Sequence, residues 1–434
     1  MDSILKIDEK YKIDESIVSY EYYNFYPITG SQLNNPGAIT ITVQNGDNFY
    51  HPSQSYLEFE GVLKHTNGAY TQDQLITFAN NGILFLFDSM RYELSSTEIE
   101  SVFNLGHCTN ILGLARFSSQ YNKTVGLNQC WSMDTSDTPD DTNLGFKKRR
   151  AYVINGPTSK GTFRFAVRLD HIFGFAECYN SVIYGFTHSL TLIRSSTNNN
   201  ALFRRVDTPA HVDLNVPDGI IDLKNITWKL PRVTPADVAK YELLKKIQGE
   251  IVLDVGFRMR QSISCSVKPT NQFTWRLGVR SSPERPRFIF LAFQNSRDGN
   301  QQRNSAVYDH CSLTNAFVLL NNDKFPLTDM NADFSENKYT NVYFDFMNFM
   351  QRYYQIDPLV ATTAVDTLTY KSLYPIIFFD VSKQSESLKT GMVDITIQCY
   401  FKNNVDAGTV AHAVIISDRK LTFKSDGSKM NVIF

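Results

Sequence analysis

The chain has 434 residues, 42% of them hydrophobic, and sets 43 Lys plus Arg against 44 Asp plus Glu. That length suits two domains or one large β unit with a sizeable core. The near-zero net charge gives no global argument for nucleic acid or a membrane surface as partner. Aromatics reach 13%, with 31 Phe and 22 Tyr, which favours pleated sheets and large packed interfaces over helical bundles.

Residues 1–28 alternate charges and then turn Tyr-rich (Tyr20, Tyr22, Tyr23, Tyr26) without a clean period. They read as an N-terminal arm that orders against a neighbour or the domain surface, and carry no signal-peptide pattern. No window approaches the roughly 18 apolar residues of a membrane span. A first β region, 29–232, follows. Ile39, Ile41 and Val43 alternate with threonines, and Leu57 and Phe59 alternate with Glu58 and Glu60, the period of a half-buried strand. Met90–Leu94 is a short strand. Ser95-Ser96-Thr97 reads as the cap of a short helix with Glu98 and Glu100 in its first turns. Ile111, Leu112, Leu114 and Ala115 suggest another helix. The polar stretch 119–160 reads as one long loop carrying the basic run Lys147-Lys148-Arg149-Arg150. Phe163–Leu169, Thr187–Arg194 and Ile226–Leu230 return to strand periodicity.

A linker helix is signalled at 233–248. Thr234 is expected at the N-cap and Pro235 at the first helical position, with Asp237 completing a capping box. Val238, Tyr241 and Leu244 mark one face, and Gly249 follows as the C-cap. A second β region and a C-terminal tail fill 249–434. Ile251–Met259, Phe273–Val279, Phe288–Phe293 and Ala316–Leu320 read as strands, followed by a helix through Val342, Phe346, Phe349 and Tyr353. Tyr374–Phe379 is a doubly covered strand, Lys383–Gly391 an exposed polar loop, and Val393–Phe401 a strand alternating with Asp394, Thr396 and Gln398. Val410–Ile416 and Leu421–Phe423 complete the sheet. Both halves share one order: short strands, a helical interruption, an excursion, more strands. The expected fold is all-β, two side-by-side sandwiches joined by one helix.

Motif chemistry is sparse. The sequence lacks GxxxxGK[ST], GxGxxG, HExxH and GxSxG. Asp309-His310-Cys311 and His107-Cys108 place base and thiol on adjacent residues, which on a strand point to opposite faces. Asp323, Asp329 and Asp333 lie among asparagines at a spacing unlike that of a calcium loop. The eight histidines are too dispersed for a cupin-type metal site. The six widely spaced cysteines read as buried free thiols of a reducing compartment. No catalytic, cofactor-binding or metal-binding residue is therefore expected, and the chain is read as no enzyme.

One set of blocks resembles a known family. Arg285-Pro286-Arg287-Phe288 through Gln294, Asp298-Gly299-Asn300, Asn304-Ser305, Asp309-His310-Cys311, Leu320–Pro326 and Tyr374–Lys389 are similar to viral double jelly-roll major capsid proteins. The resemblance is nearest to those of Polinton/Maverick-like elements and adintoviruses, with virophage and adenovirus capsid proteins more distant. It covers roughly 250–425. It implies two tandem eight-stranded jelly rolls with a connecting helix, and homotrimeric pseudo-hexagonal capsomers tiling an icosahedral shell around double-stranded DNA. It also implies penton and minor capsid partners, only indirect contact with packaged DNA, and residence in the virion after synthesis in host cytoplasm, with nuclear assembly open. The alternative is a host-domesticated relative or a β-sandwich binding module without particles.

Overall fold

In the computed structural model, Ile39, Ile41 and Val43 point into a core while Thr40 and Thr42 stay half-buried, as the alternation dictates. The structure describes residues 15–28, 30–44, 47–205, 216–249, 251–278, 285–357, 359, 362–384, 393–425 and 430–434.

The first half contains strands β1 (Ile17–Phe25), β2 (Gly37–Val43), β3 (Phe49–Tyr50), β4 (Tyr56–Lys64), β5 (Ile76–Phe78), β6 (Phe87–Leu94), β7 (Thr97–Phe103), β8 (Thr162–Arg168), β9 (His188–Arg194), β10 (Leu202–Arg204) and β11 (Ile220–Pro235). The second contains β12 (Val252–Ser266), β13 (Gln272–Leu277), β14 (Arg285–Asn295), β15 (Leu313–Leu320), β16 (Asp323–Phe325), β17 (Ile377–Asp380), β18 (Ile395–Phe401), β19 (Thr409–Ser425) and β20 (Met430–Ile433). Two sheets in the first half run β1-β11-β4-β8 and β2-β9-β6-β7; two in the second run β12-β19-β14-β17 and β13-β18-β15-β16. Setting aside the short β3, β5, β10 and β20 and numbering the strands within each half, both halves show the same two orders, 1-8-3-6 and 2-7-4-5. This is a double jelly roll, with every pairing antiparallel.

Helices fill the excursions: α1 (Leu105–Arg116), α2 (Ser119–Lys123), α3 (Leu144–Val153), α4 (Leu169–Ile172), α5 (Gly174–Cys178), α6 (Asp237–Gln248), α7 (Thr340–Met347), α8 (Phe349–Tyr354) and α9 (Thr367–Leu373). Among the described residues no helix is long and apolar enough to cross a membrane.

Several expectations need correction. The tyrosine-rich arm is, over Ile17–Phe25, the first strand of the first jelly roll, paired along β11. Thr97, Glu98 and Glu100 lie in β7, not a helix; Ser95 and Ser96 both take left-handed backbone, the geometry of a tight two-residue hairpin loop. Stretch 119–160 is no continuous loop: α2 and α3 lie in it, and the basic run sits on α3. Thr234 and Pro235 belong to β11, because pairing with β1 holds them extended; α6 starts at Asp237 with Ala236 as N-cap and ends at Gly249. The helix through Val342 and Tyr353 is broken at Asn348 into α7 and α8.

Candidate functional site: the seam between the two jelly rolls

Helix α1 is the element that a sandwich alone does not need. Its residues from Leu105 to Ala115 are all buried, so it is covered by both halves. Two glycines let rings of the first half pack closely on it: a Cβ on Gly106 would lie 2.4 Å from the Phe85 ring, and one on Gly113 2.5 Å from Trp131. The halves also come close at Gly174, the first residue of α5, where a Cβ would sit 1.7 Å from the carbonyl oxygen of Arg258 in β12. Only glycine fits there.

Two sheet edges meet at this seam, β7 from the first half and β12 from the second. Unpaired edge N–H groups need acceptors, and Glu100 of β7 supplies one. Its fully buried carboxylate accepts from the backbone N–H of Arg260 at 2.9 Å, and from Gly174 and Phe175 N–H at 3.1 and 2.8 Å. Burial pushes the Glu100 carboxyl up, against the pull of Arg260 and these donors. Beside it, Glu177 of α5 accepts from Arg260 (2.5 Å), Arg116 (3.4 Å), and the Tyr353 and Tyr354 hydroxyls (2.7 and 2.5 Å). Burial alone would raise Glu177; the two guanidiniums and two hydroxyls outweigh it and hold it at about 2. An aromatic set continues the seam, with Phe175 against Phe257 and Phe186 against Phe423. Further along, His107 of α1 stacks on His412 of β19 with ring centroids 3.9 Å apart.

A second contact zone is the segment between β14 and β15, which reaches over the first half. Arg297 bridges Asp309 (2.7 Å) to Asp137 (2.9 Å). Asn304 donates to Asp134 at 2.8 Å, and Asp134 pairs at 2.6 Å with Arg149, both side chains essentially unexposed. Asn200 donates to Asp298, Asn199 to the Gly299 carbonyl, and Gln301 accepts from Gly219 N–H. Asn110 of α1 donates to the Ala306 carbonyl and the Tyr308 hydroxyl. So Asp298, Gly299, Asn304 and Asp309, which carry the sequence resemblance, lie on or beside contacts that join the halves.

The residues weighed as chemistry fall elsewhere. His310 stacks on Phe334 and its Nδ1 accepts from Ser312 N–H. Burial pushes the Cys311 thiol up to about 12, so no thiolate is poised there. Burial likewise raises Cys108 to about 12 and lowers His107 to about 3. Asp329 is held by Lys324 and Asn315, and Asp333 by Lys402 and Ser335. Among the described residues no group of three or more His, Cys, Asp or Glu is placed to hold a metal. The basic run splits, with Lys147 and Lys148 exposed, Arg149 buried against Asp134, and Arg150 paired with Asp141. All six cysteines are free; Cys178 is exposed and Cys265 and Cys311 are half-buried, against the expectation of six buried thiols. Loop 383–391 lies, from Ser385 onward, outside the described residues.

Sequence reasoning missed Glu100, Glu177 and Arg260. A strand covered on one face alternates; in β7 both Ile99 and Glu100 are buried, and in β12 both Met259 and Arg260. That lapse is one of burial only: along the sequence Val255, Phe257 and Met259 alternate with Arg258 and Arg260 without a break, so no local signal marked these residues.

The model of the double jelly roll-like domain family matches residues 76–421. A search of curated proteins returned no match. Among solved structures, the chain is similar to the capsid of PBCV-1 virus (TM-score 0.57, 10% identity, 98% of this chain and 99% of that one). It is similar to a chain of the Sputnik virophage (0.55, 11%, 100% and 92%). The mavirus major capsid protein also matches (0.50, 12%, 100% and 93%). At these identities the likeness is one of fold.

Proposed function

Because the chain belongs to the double jelly roll-like domain family, we propose that it is a viral major capsid protein, a structural subunit without turnover. The lineage it fits is that of Polinton/Maverick-like elements and adintoviruses. The reading divides it into an arm (1–28) whose later part joins the first sheet, a first jelly roll (29–232), a connector (233–248) and a second jelly roll with tail (249–434).

One observation carries the assembly proposal. The internal seam sets edge strand five of the first jelly roll, β7, against edge strand one of the second, β12. The equivalent outer strands, β1 of the first half and β16 of the second, end their sheets with no further strand of this chain beyond them among the described residues. A copy that sets its β16 edge near the β1 edge of the next repeats the internal contact between molecules. A head-to-tail contact either closes into a ring or runs on as a filament; three copies of two jelly rolls close a pseudo-hexagon. Val18, Tyr20 and Tyr22 on β1 and Leu327 just past β16 are exposed in the single chain, as such a contact needs. Capsomers would then tile an icosahedral shell around double-stranded DNA, with penton and minor proteins at other positions.

Light scattering of the purified chain should give about three times its 49.6 kDa mass, and electron microscopy should show hexagonal outlines. Tyr22→Glu should leave a folded monomer. A wild-type chain that stays monomeric at micromolar concentration removes the proposal.

A further inference from the structure

The seam holds one feature that assembly does not require: a pair of imidazoles, one from each jelly roll, stacked face to face in a dry place. His107 (α1) and His412 (β19) have ring planes 25° apart and centroids 3.9 Å apart. They are 9% and 4% exposed. Among the described residues, neither ring nitrogen of His412 has a hydrogen-bond partner. The Nδ1 of His107 lies 3.5 Å from the Tyr308 hydroxyl, and the Phe85 ring meets it edge-on.

We propose that this pair is an acid-released latch between the two jelly rolls, closed while both rings are neutral and opened by protonation.

The surroundings support this. On α1 the neighbours of His107 are Cys108, whose thiol is neutral, and Asn110, which is spent on Ala306 and Tyr308. The flanking strands place Ser264 of β12 and Ala292 of β14 opposite His412, and neither titrates. From the segment after β14, Tyr308 is a neutral phenol, and Asp298 is the carboxylate that acts on His412, already accepting from Asn200. An imidazolium at His412 would have lost its water and gained no acceptor among the described residues, and one at His107 would have only the Tyr308 hydroxyl at 3.5 Å. A second one would add like-charge repulsion at contact distance. Burial accordingly holds His107 at about 3 and His412 well below its ordinary value. The proton is accepted only when the rings part, so acid draws the molecule toward states with the seam open. The slight exposure of His107 offers a route in. This inference is independent of the capsid reading, since it concerns one chain.

The test is hydrogen–deuterium exchange of the single chain at pH 7.5 and 5.5, corrected for the intrinsic amide rate. Peptides from α1 and the middle of β19 should open about tenfold more per histidine at one pH unit below 6.5. Peptides from β4 and β8, which pair with each other in the first jelly roll, should open less. In the double variant His107→Phe/His412→Phe, which keeps stacking without titration, the selective acid response at α1 and β19 should vanish. His412→Phe alone should lose about half of it on a logarithmic scale and serves if the double variant does not fold. An acid response at α1 and β19 that survives in either variant unchanged, or a wild-type response no larger there than in β4 and β8, overturns the proposal.

Discussion

Ile397 is fully buried in β18, with Trp275 and Val318 as cross-strand neighbours. Ile397→Asp places an unpaired carboxylate there, and the expected cost of several kcal/mol exceeds what most domains can spare; loss of the cooperative urea transition is the readout. Glu177 answers a different question. It neutralises Arg116 and Arg260 and accepts two tyrosine hydroxyls, so Glu177→Gln leaves two buried guanidiniums underpaired at an expected cost of about 3–5 kcal/mol. In a double-mutant cycle with Arg260→Met, the double variant should cost less than the sum of the two single changes, so the coupling energy has the opposite sign to the single costs. The first substitution is legible in sequence, where alternation alone buries Ile397. The second is not. Glu177 and Arg260 are 83 positions apart, and nothing local says that a carboxylate on α5 faces a guanidinium on β12. Lys389, on the exposed polar loop expected at 383–391, lies outside the described residues; Lys389→Glu should leave the fold intact, and particles that form normally with it would retire the loop as a subunit contact.

At the scale of elements, period two located most strands because one face of each meets a core and the other meets water. It failed where an element is covered twice or not at all. The acidic start of a helix and the outer face of β7 use the same residue types, and only the pairing with β6 distinguishes them. Helix α6 shows the converse. Its apolar positions Val238 and Tyr241 are largely exposed, so they mark no core contact among the described residues. Strand β1 is likewise exposed, with Ile17, Val18, Tyr20 and Tyr22 open to solvent. Its energy comes from the ladder with β11 and from Arg232 lying 4.4 Å over the Tyr23 ring. Tyr23→Ala should therefore cost only about 1 kcal/mol in the single chain, read as a small shift of the denaturant midpoint. Deleting residues 1–25 should instead bare the β11 edge and produce aggregation or loss of assembly, seen by light scattering.

For the whole molecule, acid is the predicted weakness. Burial lowers His107 and His188 to about 3, and His171 and His412 well below the ordinary value. A base whose folded pKa is depressed binds more protons unfolded, so its stability is complete above about 6.5 and is lost as pH falls toward the folded value. Each histidine should cost about 1.4 kcal/mol at one pH unit below 6.5. Glu177, held at about 2, adds its own loss below the ordinary carboxylate range. Thermal midpoints measured from pH 7.5 to 4.5 should fall steeply in this window; a flat profile would contradict the burial of these rings. The sequence by itself determined that the chain is all-β, that it has two similar halves with a helix between them, and which residues line each core, because hydrophobic periodicity is a local property. Tertiary structure alone decided that β1 belongs to the first sheet, that the excursion 119–160 is partly helical, and that α1, β7 and α5 lock against β12 and β19. Those outcomes depend on which surfaces meet, and a charge or a glycine shows its purpose only when the opposite wall is in place.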